Sequence, residues 1–151
     1  MKNKGNGKPD NLTSTAGNDE VKGTSRNDVL DGGAGDDTLE GGRGLDVFVL
    51  QQGGGDDVVL DFNRLEGDRL HFEIGTGIDN GVLPPLGRLY DGQVFTNYSG
   101  DATFTVSATD VNGDGVTDTT ISAAGPGGTV DSITLLGVSP DSLSSGDIYG
   151  G

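Results

Sequence analysis

From Ser14 onward the chain can be cut every nine residues, giving STAGNDEVK, GTSRNDVLD, GGAGDDTLE and GGRGLDVFV in succession. The sixth place holds Asp19, Asp28, Asp37 and Asp46, and the eighth holds Val21, Leu30, Leu39 and Phe48, without exception in either column. A fixed period constrains the fold more than composition does, because each unit can bury its apolar face only against its neighbours. Six glycine-rich residues suit a turn. The last three suit a strand, whose alternating side chains send one apolar residue inward. Two units then make one coil, and stacked coils bury the eighth-place column as a thin core between parallel ladders. After a two-residue insertion, GGGDDVVLDF continues the pattern with Asp57 and Val59 in the same roles, as a fifth, irregular turn.

Such a core is too small to hold a fold alone. Hydrophobic residues make up 31% and aromatics 5% of the 151 residues, while 29 are glycine. With 24 acidic against 9 basic residues the formal net charge is −15, so a compact state needs a counter-charge. Cations supply it most directly. Glycines give positive φ angles and leave backbone carbonyls free to point at a shared centre, and the aspartate column adds charge. Carboxylate oxygens from one turn and carbonyl oxygens from the next provide about six hard ligands, which suits Ca²⁺ better than Mg²⁺. Two rival readings are a disordered acidic linker and a solenoid that folds without metal. The linker reading leaves the apolar eighth place unexplained.

GGAGDDTLE and GGRGLDVFV match the pattern GGxGxDxUx in full, and GTSRNDVLD and STAGNDEVK match its second half. Residues 14–62 therefore resemble the calcium-binding β-roll of the RTX family. The resemblance implies an all-β chain: a flexible tail over residues 1–13, a short parallel β-roll over 14–62, and an antiparallel β-strand cap over 63–151. Units alternate between the two edges of a roll, so Asp19 is expected to stack on the turn of residues 32–37, Asp28 on 41–46, and Asp37 on 53–57. The resemblance thus implies about three shared Ca²⁺ sites. The expected metal ligands are Asp19, Asp28, Gly32, Ala34, Asp37, Gly41, Arg43, Asp46, Gly53, Gly55 and Asp57, the non-acidic ones through their carbonyls.

Beyond residue 62, DATFTVSAT and TVDSITLLGV alternate as half-buried strands do, and no long helix is predicted. The stretch VVLDFNRLEGDRLHF resembles the exit of such rolls into a cap, with Phe62, Leu65, Leu70 and Phe72 closing the core. Asp61 is a weaker ligand candidate there. DVNGDGVTD, residues 110–118, offers oxygen ligands at places 1, 3, 5 and 9 with glycine at 6. Ile121 stands where an EF-hand needs its bidentate glutamate, so a helix-loop-helix hand is excluded. Two readings stay open. One is a further Ca²⁺ in a hairpin loop, held by Asp110, Asn112, Asp114, Asp118 and the Val116 carbonyl, and the other is a metal-free polar turn.

The sequence contains no cysteine, no Sec-type leader and no run of transmembrane length. Its C-terminus, with Asp147, Ile148 and Tyr149, resembles the ends of RTX proteins that carry a type I secretion signal. That resemblance implies export from a Gram-negative bacterium by type I machinery, with a catalytic or adhesive domain upstream as a further partner. Catalysis by this chain itself is not expected. His71 is the sole histidine, and no serine elbow has a partner histidine. Nucleic acid is excluded by the charge balance, since no lysine follows Lys22. An extracellular polysaccharide-binding or adhesin role, like the repeat modules of alginate epimerases, is the alternative, with Arg26, Arg43, Arg64, Arg69 and Arg88 as its only basic candidates.

Overall fold

The computed structural model describes residues 2–4, 11–74, 82–83, 88–97 and 100–150. The first eight strands are β1 (Lys2–Lys4), β2 (Asn11–Thr13), β3 (Glu20–Lys22), β4 (Val29–Asp31), β5 (Thr38–Glu40), β6 (Val47–Gln51), β7 (Asp56–Val59) and β8 (Arg69–Glu73). They alternate between two sheets. Odd-numbered strands pair in parallel as β1-β3-β5-β7 and even-numbered ones as β2-β4-β6-β8. In β3, β4 and β5 only the middle residue is buried, as a three-residue strand with one inward side chain requires. The register sets Val21 beside Leu39 and Leu39 beside Val59 in one sheet. In the other, Leu12 lies beside Leu30, Leu30 beside Phe48, and Phe48 beside Leu70. Of these seven side chains only Leu12 keeps any exposure, 5%.

The roll is longer at both ends than the clear repeats indicate. Asn11–Thr13, assigned from sequence to a flexible tail, form β2, because Leu12 stands nine residues before Val21 and fills the same inward place. Lys2–Lys4 likewise pair with β3, and residues 5–10 of the expected tail lie outside the described residues. At the other end the roll passes residue 62. Asp68 and Leu70 take the sixth and eighth places of a glycine-poor unit, and β8 pairs with β6 over five residues. Phe62, Leu70 and Phe72 are buried as expected, with Phe48 and Phe62 ring centroids 6.1 Å apart. Leu65 does not join them. It sits in the turn before β8 and is 94% exposed.

The second half supplies β9 (Val82–Leu83), β10 (Val94–Asn97), β11 (Thr103–Thr109), β12 (Asp118–Ala124), β13 (Val130–Leu135) and β14 (Ile148–Gly150). Strands β9 to β13 form an antiparallel meander. Its last strand, β13, adds in parallel to β7, and the separate strand β14 adds in parallel to β8. The cap thus extends one sheet by five strands and the other by one. Phe72, Phe104 and Phe95 carry the core across the junction, with centroid separations of 5.0 and 5.1 Å. Among the described residues there is no α-helix, only three single 3₁₀ turns. Much of the predicted loop between residues 75 and 100 lies outside the described residues.

Candidate calcium-binding site

Apart from Asp57 in β7 and Asp118 in β12, the candidate metal ligands lie in the turns between strands, where coils stack with little clearance. At Gly42 the backbone is left-handed, with φ +97°, and a Cβ would overlap the Thr24 carbonyl oxygen of the turn below. Gly35 is placed in the same way over the Gly17 carbonyl, with φ +126°. Only glycine combines that φ with that approach. The consequence is chemical: carbonyls at places two and four of one turn face the next turn on the same edge. Thr15 O lies 2.8 Å from an ideal Cβ on Gly33, and Arg26 O 2.8 Å from one on Gly44.

From Asp37 onward the sixth-place aspartates each reach back one coil. Oδ1 of Asp37 accepts the Asp19 N–H at 2.7 Å, and Oδ1 of Asp57 accepts the Asp37 N–H at 3.0 Å. On the other edge Oδ1 of Asp46 accepts the Asp28 N–H and Oδ1 of Asp68 the Asp46 N–H, both at 2.9 Å. The structure therefore brings together Asp19 with Asp37, Asp37 with Asp57, and Asp28 with Asp46, the stacking expected from the repeat. It adds a pair that sequence reasoning missed, Asp46 with Asp68. All six carboxylates are buried.

The second carboxylate oxygens differ from turn to turn. In the two turns with threonine at place two, Oδ2 is taken: Thr15 gives Asp19 its N–H at 3.1 Å and hydroxyl at 2.8 Å, and Thr24 gives Asp28 the same two donors at 2.7 and 2.8 Å. In the two full-match turns, Oδ2 of Asp37 and Oδ2 of Asp46 are buried with no hydrogen-bond partner. Each lies beside the first glycine of its own turn, Gly32 or Gly41. The place-two N–H groups there go elsewhere, Gly33 to Asp31 at 2.9 Å and Gly42 to Asp61 at 2.8 Å. Asp61 also accepts the Gly41 N–H at 2.8 Å.

The remaining expected ligands are placed as follows. The Ala34 carbonyl accepts the Gly17 N–H at 2.6 Å, and Arg43 donates its N–H to Thr24 O at 3.2 Å. Gly53 and Gly55 both donate to Asp131, at 3.0 Å each. Asp131 belongs to β13, so the last turn on this edge is closed by a residue more than seventy positions away. Among the described residues no group of three or more Asp, Glu, His or Cys side chains converges as a metal cluster. A cation here would take one or two carboxylates and several carbonyls. Bare buried carboxylate oxygens beside carbonyls that face the next turn are an all-oxygen donor set, and that fits Ca²⁺. Which residues would hold it follows: Asp37, Asp46 and their stacked partners, with carbonyls of the glycine turns completing the shell.

Burial raises four of these carboxyls above the ordinary carboxylate range. Burial, reinforced by the charges of Asp68, Asp28 and Asp61, pushes Asp46 up to about 7 despite the Asp28 N–H. Burial also pushes Asp57 up to about 7, with Asp37, Asp31 and Asp36 adding to it against the Asp37 N–H. Asp37 and Asp68 are raised too, mainly by burial. A carboxyl whose folded pKa lies above its unfolded value of about 4 stabilises the fold below that value, and loses the contribution as pH rises through the folded pKa. The metal-free chain is therefore expected to hold more strand at pH 5 than at pH 8, and calcium to bind more weakly, with proton release, as pH falls from 8 to 6. Circular dichroism in excess chelator across this range checks the first expectation; a flat response from pH 5 to 8 would contradict it.

The 110–118 loop is the turn between β11 and β12. The Asp110 carboxylate accepts the N–H groups of Gly113, Asp114 and Gly115 at 2.7 to 3.1 Å. Asn112 and Asp114 bond to each other and to the N–H groups of Asp114 and Val116. Asp118 is buried in β12, and its oxygens take the N–H groups of Val111 at 2.9 Å and Gly137 at 2.7 Å. These groups share a loop but are occupied in shaping it.

Known proteins share the repeat and the fold. A family model of the RTX calcium-binding nonapeptide repeat matches residues 13–48 in four copies. No curated protein matches the chain by sequence. Among solved structures, the AlgE6R2 subunit of the Azotobacter vinelandii mannuronan C5-epimerase is similar at 22% identity and a TM-score of 0.53, covering 95% of this chain and 93% of that one. The AlgE6R3 subunit of the same enzyme is similar at 25% identity and a TM-score of 0.49, covering 93% of this chain and 77% of that one. Residues 13–48 are therefore an RTX calcium-binding repeat array, wound into an all-β roll that antiparallel strands extend.

Proposed function

We propose that this chain is an exported folding module whose roll assembles when calcium outside the cell fills its turns. The observation that carries this reading is the pair of buried, unpartnered carboxylate oxygens on Asp37 and Asp46. At submicromolar calcium a chain of formal charge −15 repels itself and is fit to pass a narrow channel in extended form. At extracellular calcium each site held at 100 times its dissociation constant adds about 2.7 kcal/mol of stability, so a few sites match the stability of an ordinary domain. The resemblance of residues 147–149 to a type I secretion signal supports type I machinery as the export partner, a Gram-negative host, and an upstream catalytic or adhesive domain as the cargo.

The C-terminus bears on the order of events. Ile148 is 3% exposed and pairs with Leu70, while Oδ2 of Asp147 accepts from Arg64 Nε at 3.0 Å. A signal at residues 147–149 is thus read before β14 docks. Deleting the last twenty or so residues from the full chain is expected to leave the product inside the producing cells. Equal amounts of intact and truncated protein in the medium would overturn the export reading while leaving calcium binding untouched.

A further inference from the structure

The four clear repeats are not equivalent, and their second carboxylate oxygens show why. We propose that calcium binding in this roll is centred on Asp37 and Asp46, stacked with Asp57 and Asp68, whereas the turns of Asp19 and Asp28 are closed by threonine and stand without metal. This rests on the calcium reading above and narrows it to particular turns.

Two independent observations carry it. Asp37 and Asp46 are 1% and 0% exposed, and each keeps a buried Oδ2 with no partner. A buried ionised oxygen without a donor is costly, and a bound cation relieves that cost. Thr15 and Thr24, by contrast, put an N–H and a hydroxyl on the Oδ2 of Asp19 and Asp28, at 2.7 to 3.1 Å. Those two donors satisfy the oxygen that calcium would otherwise take. Threonine also denies these turns a left-handed residue at place two, since no non-glycine residue among those described has positive φ. Gly33 and Gly42 do have it, at +81° and +97°.

Asp68 enters the site without belonging to a recognisable repeat. Its Oδ1 holds the Asp46 N–H at 2.9 Å and its Oδ2 holds the Asn63 N–H at 2.8 Å, so it is fixed beside Asp46 from the far side. On the other edge Asp57 stands in the same relation to Asp37, and a Cβ on Gly54 would lie 3.5 Å from the Gly33 carbonyl. Each edge therefore has one open space, and both lie toward the C-terminal end of the roll. The calcium-dependent coils thus lie between the threonine-closed N-terminal coils and the antiparallel cap.

Isothermal titration of the full chain with CaCl₂ at pH 8, read as ions bound per chain, tests this. The wild type is expected to bind about two ions, one per open space. Asp37→Asn and Asp46→Asn are each expected to lose about one, and Asp28→Asn to lose none. Thr24→Gly removes the hydroxyl from Asp28 Oδ2 and permits the left-handed turn that carries the place-two N–H elsewhere at Gly42, and is expected to gain about one ion, with a larger difference in melting temperature between calcium and chelator. Loss of an ion in Asp28→Asn, or an unchanged count in Thr24→Gly with circular dichroism showing a folded roll, would overturn the proposal. A wild type that binds no calcium would instead overturn the functional reading beneath it.

Discussion

Gly42→Ala is expected to destabilise the calcium-loaded roll by about 3 kcal/mol. About 1–2 kcal/mol comes from holding a non-glycine residue in the left-handed region, and about 1–3 kcal/mol from overlap in a site that cannot relax. The second contribution has a specific cause. The Cβ of residue 42 would overlap Thr24 O, and that carbonyl also accepts the Arg43 N–H at 3.2 Å. Relieving the overlap would separate the coils and move the carbonyls that face the metal. Gly53 is the control, because it occupies the same repeat place with φ +81° and has nothing within 4 Å of its ideal Cβ. Gly53→Ala is expected to cost only about 1 kcal/mol. Urea denaturation of both variants in saturating calcium separates strain from overlap, and equal losses would show that coil contact at Gly42 contributes nothing.

The second large effect concerns the junction between the two halves. Asp131→Ala removes both acceptors for the Gly53 and Gly55 N–H groups, each held at 3.0 Å. Hydrogen bonds to a charged group contribute about 1.5–3 kcal/mol each, so a loss of about 3 kcal/mol is expected. Asp131 is 3% exposed and lies in β13, which pairs directly with β7. The carboxylate thus closes the last turn of one edge as Asp61 closes Gly41 and Gly42 on the other. Hydrogen exchange should show faster exchange at residues 53–59 and 130–135 together. Faster exchange in β13 alone would mean that the two halves are not coupled through this residue.

How much of this was legible in the sequence depends on the range of each interaction. The eighth-place column was readable because a nine-residue period reports contacts between identical places, and Val21, Leu30, Leu39, Phe48 and Val59 are all fully buried. The same rule explains the stacking of Asp19, Asp28 and Asp37 on their neighbours. It gave no warning of Asp68 and Leu70, because Asn63, Arg64 and Glu66 replace the glycines that mark a turn and Gly67 falls one place late. The inward place of Leu12 was within reach of the period, but the surrounding polar residues hid it. Asp131 was beyond reach: its partners lie 76 and 78 positions away, and nothing in a local pattern encodes that contact. Leu65 shows the converse limit. Hydrophobicity placed it in the cap core, whereas the turn geometry points it at solvent.

The closure of Asp19 and Asp28 was visible in principle, since threonine replaces glycine at the second place in both turns. What the sequence could not supply was the direction of the hydroxyl. Once it is seen on Oδ2, the two incomplete repeats cease to be weak copies of the complete ones. They are turns that satisfy their own carboxylate, and they leave the full-match turns to carry the metal.

Whether calcium builds the roll is decided by titration with CaCl₂ at pH 8 after chelator treatment, with far-ultraviolet circular dichroism and heat of binding followed on the same sample. Strand signal is expected to rise in step with the binding isotherm and to be lost again on adding excess chelator. A full strand spectrum in chelator, unchanged when calcium is added and accompanied by no heat of binding, would contradict the account.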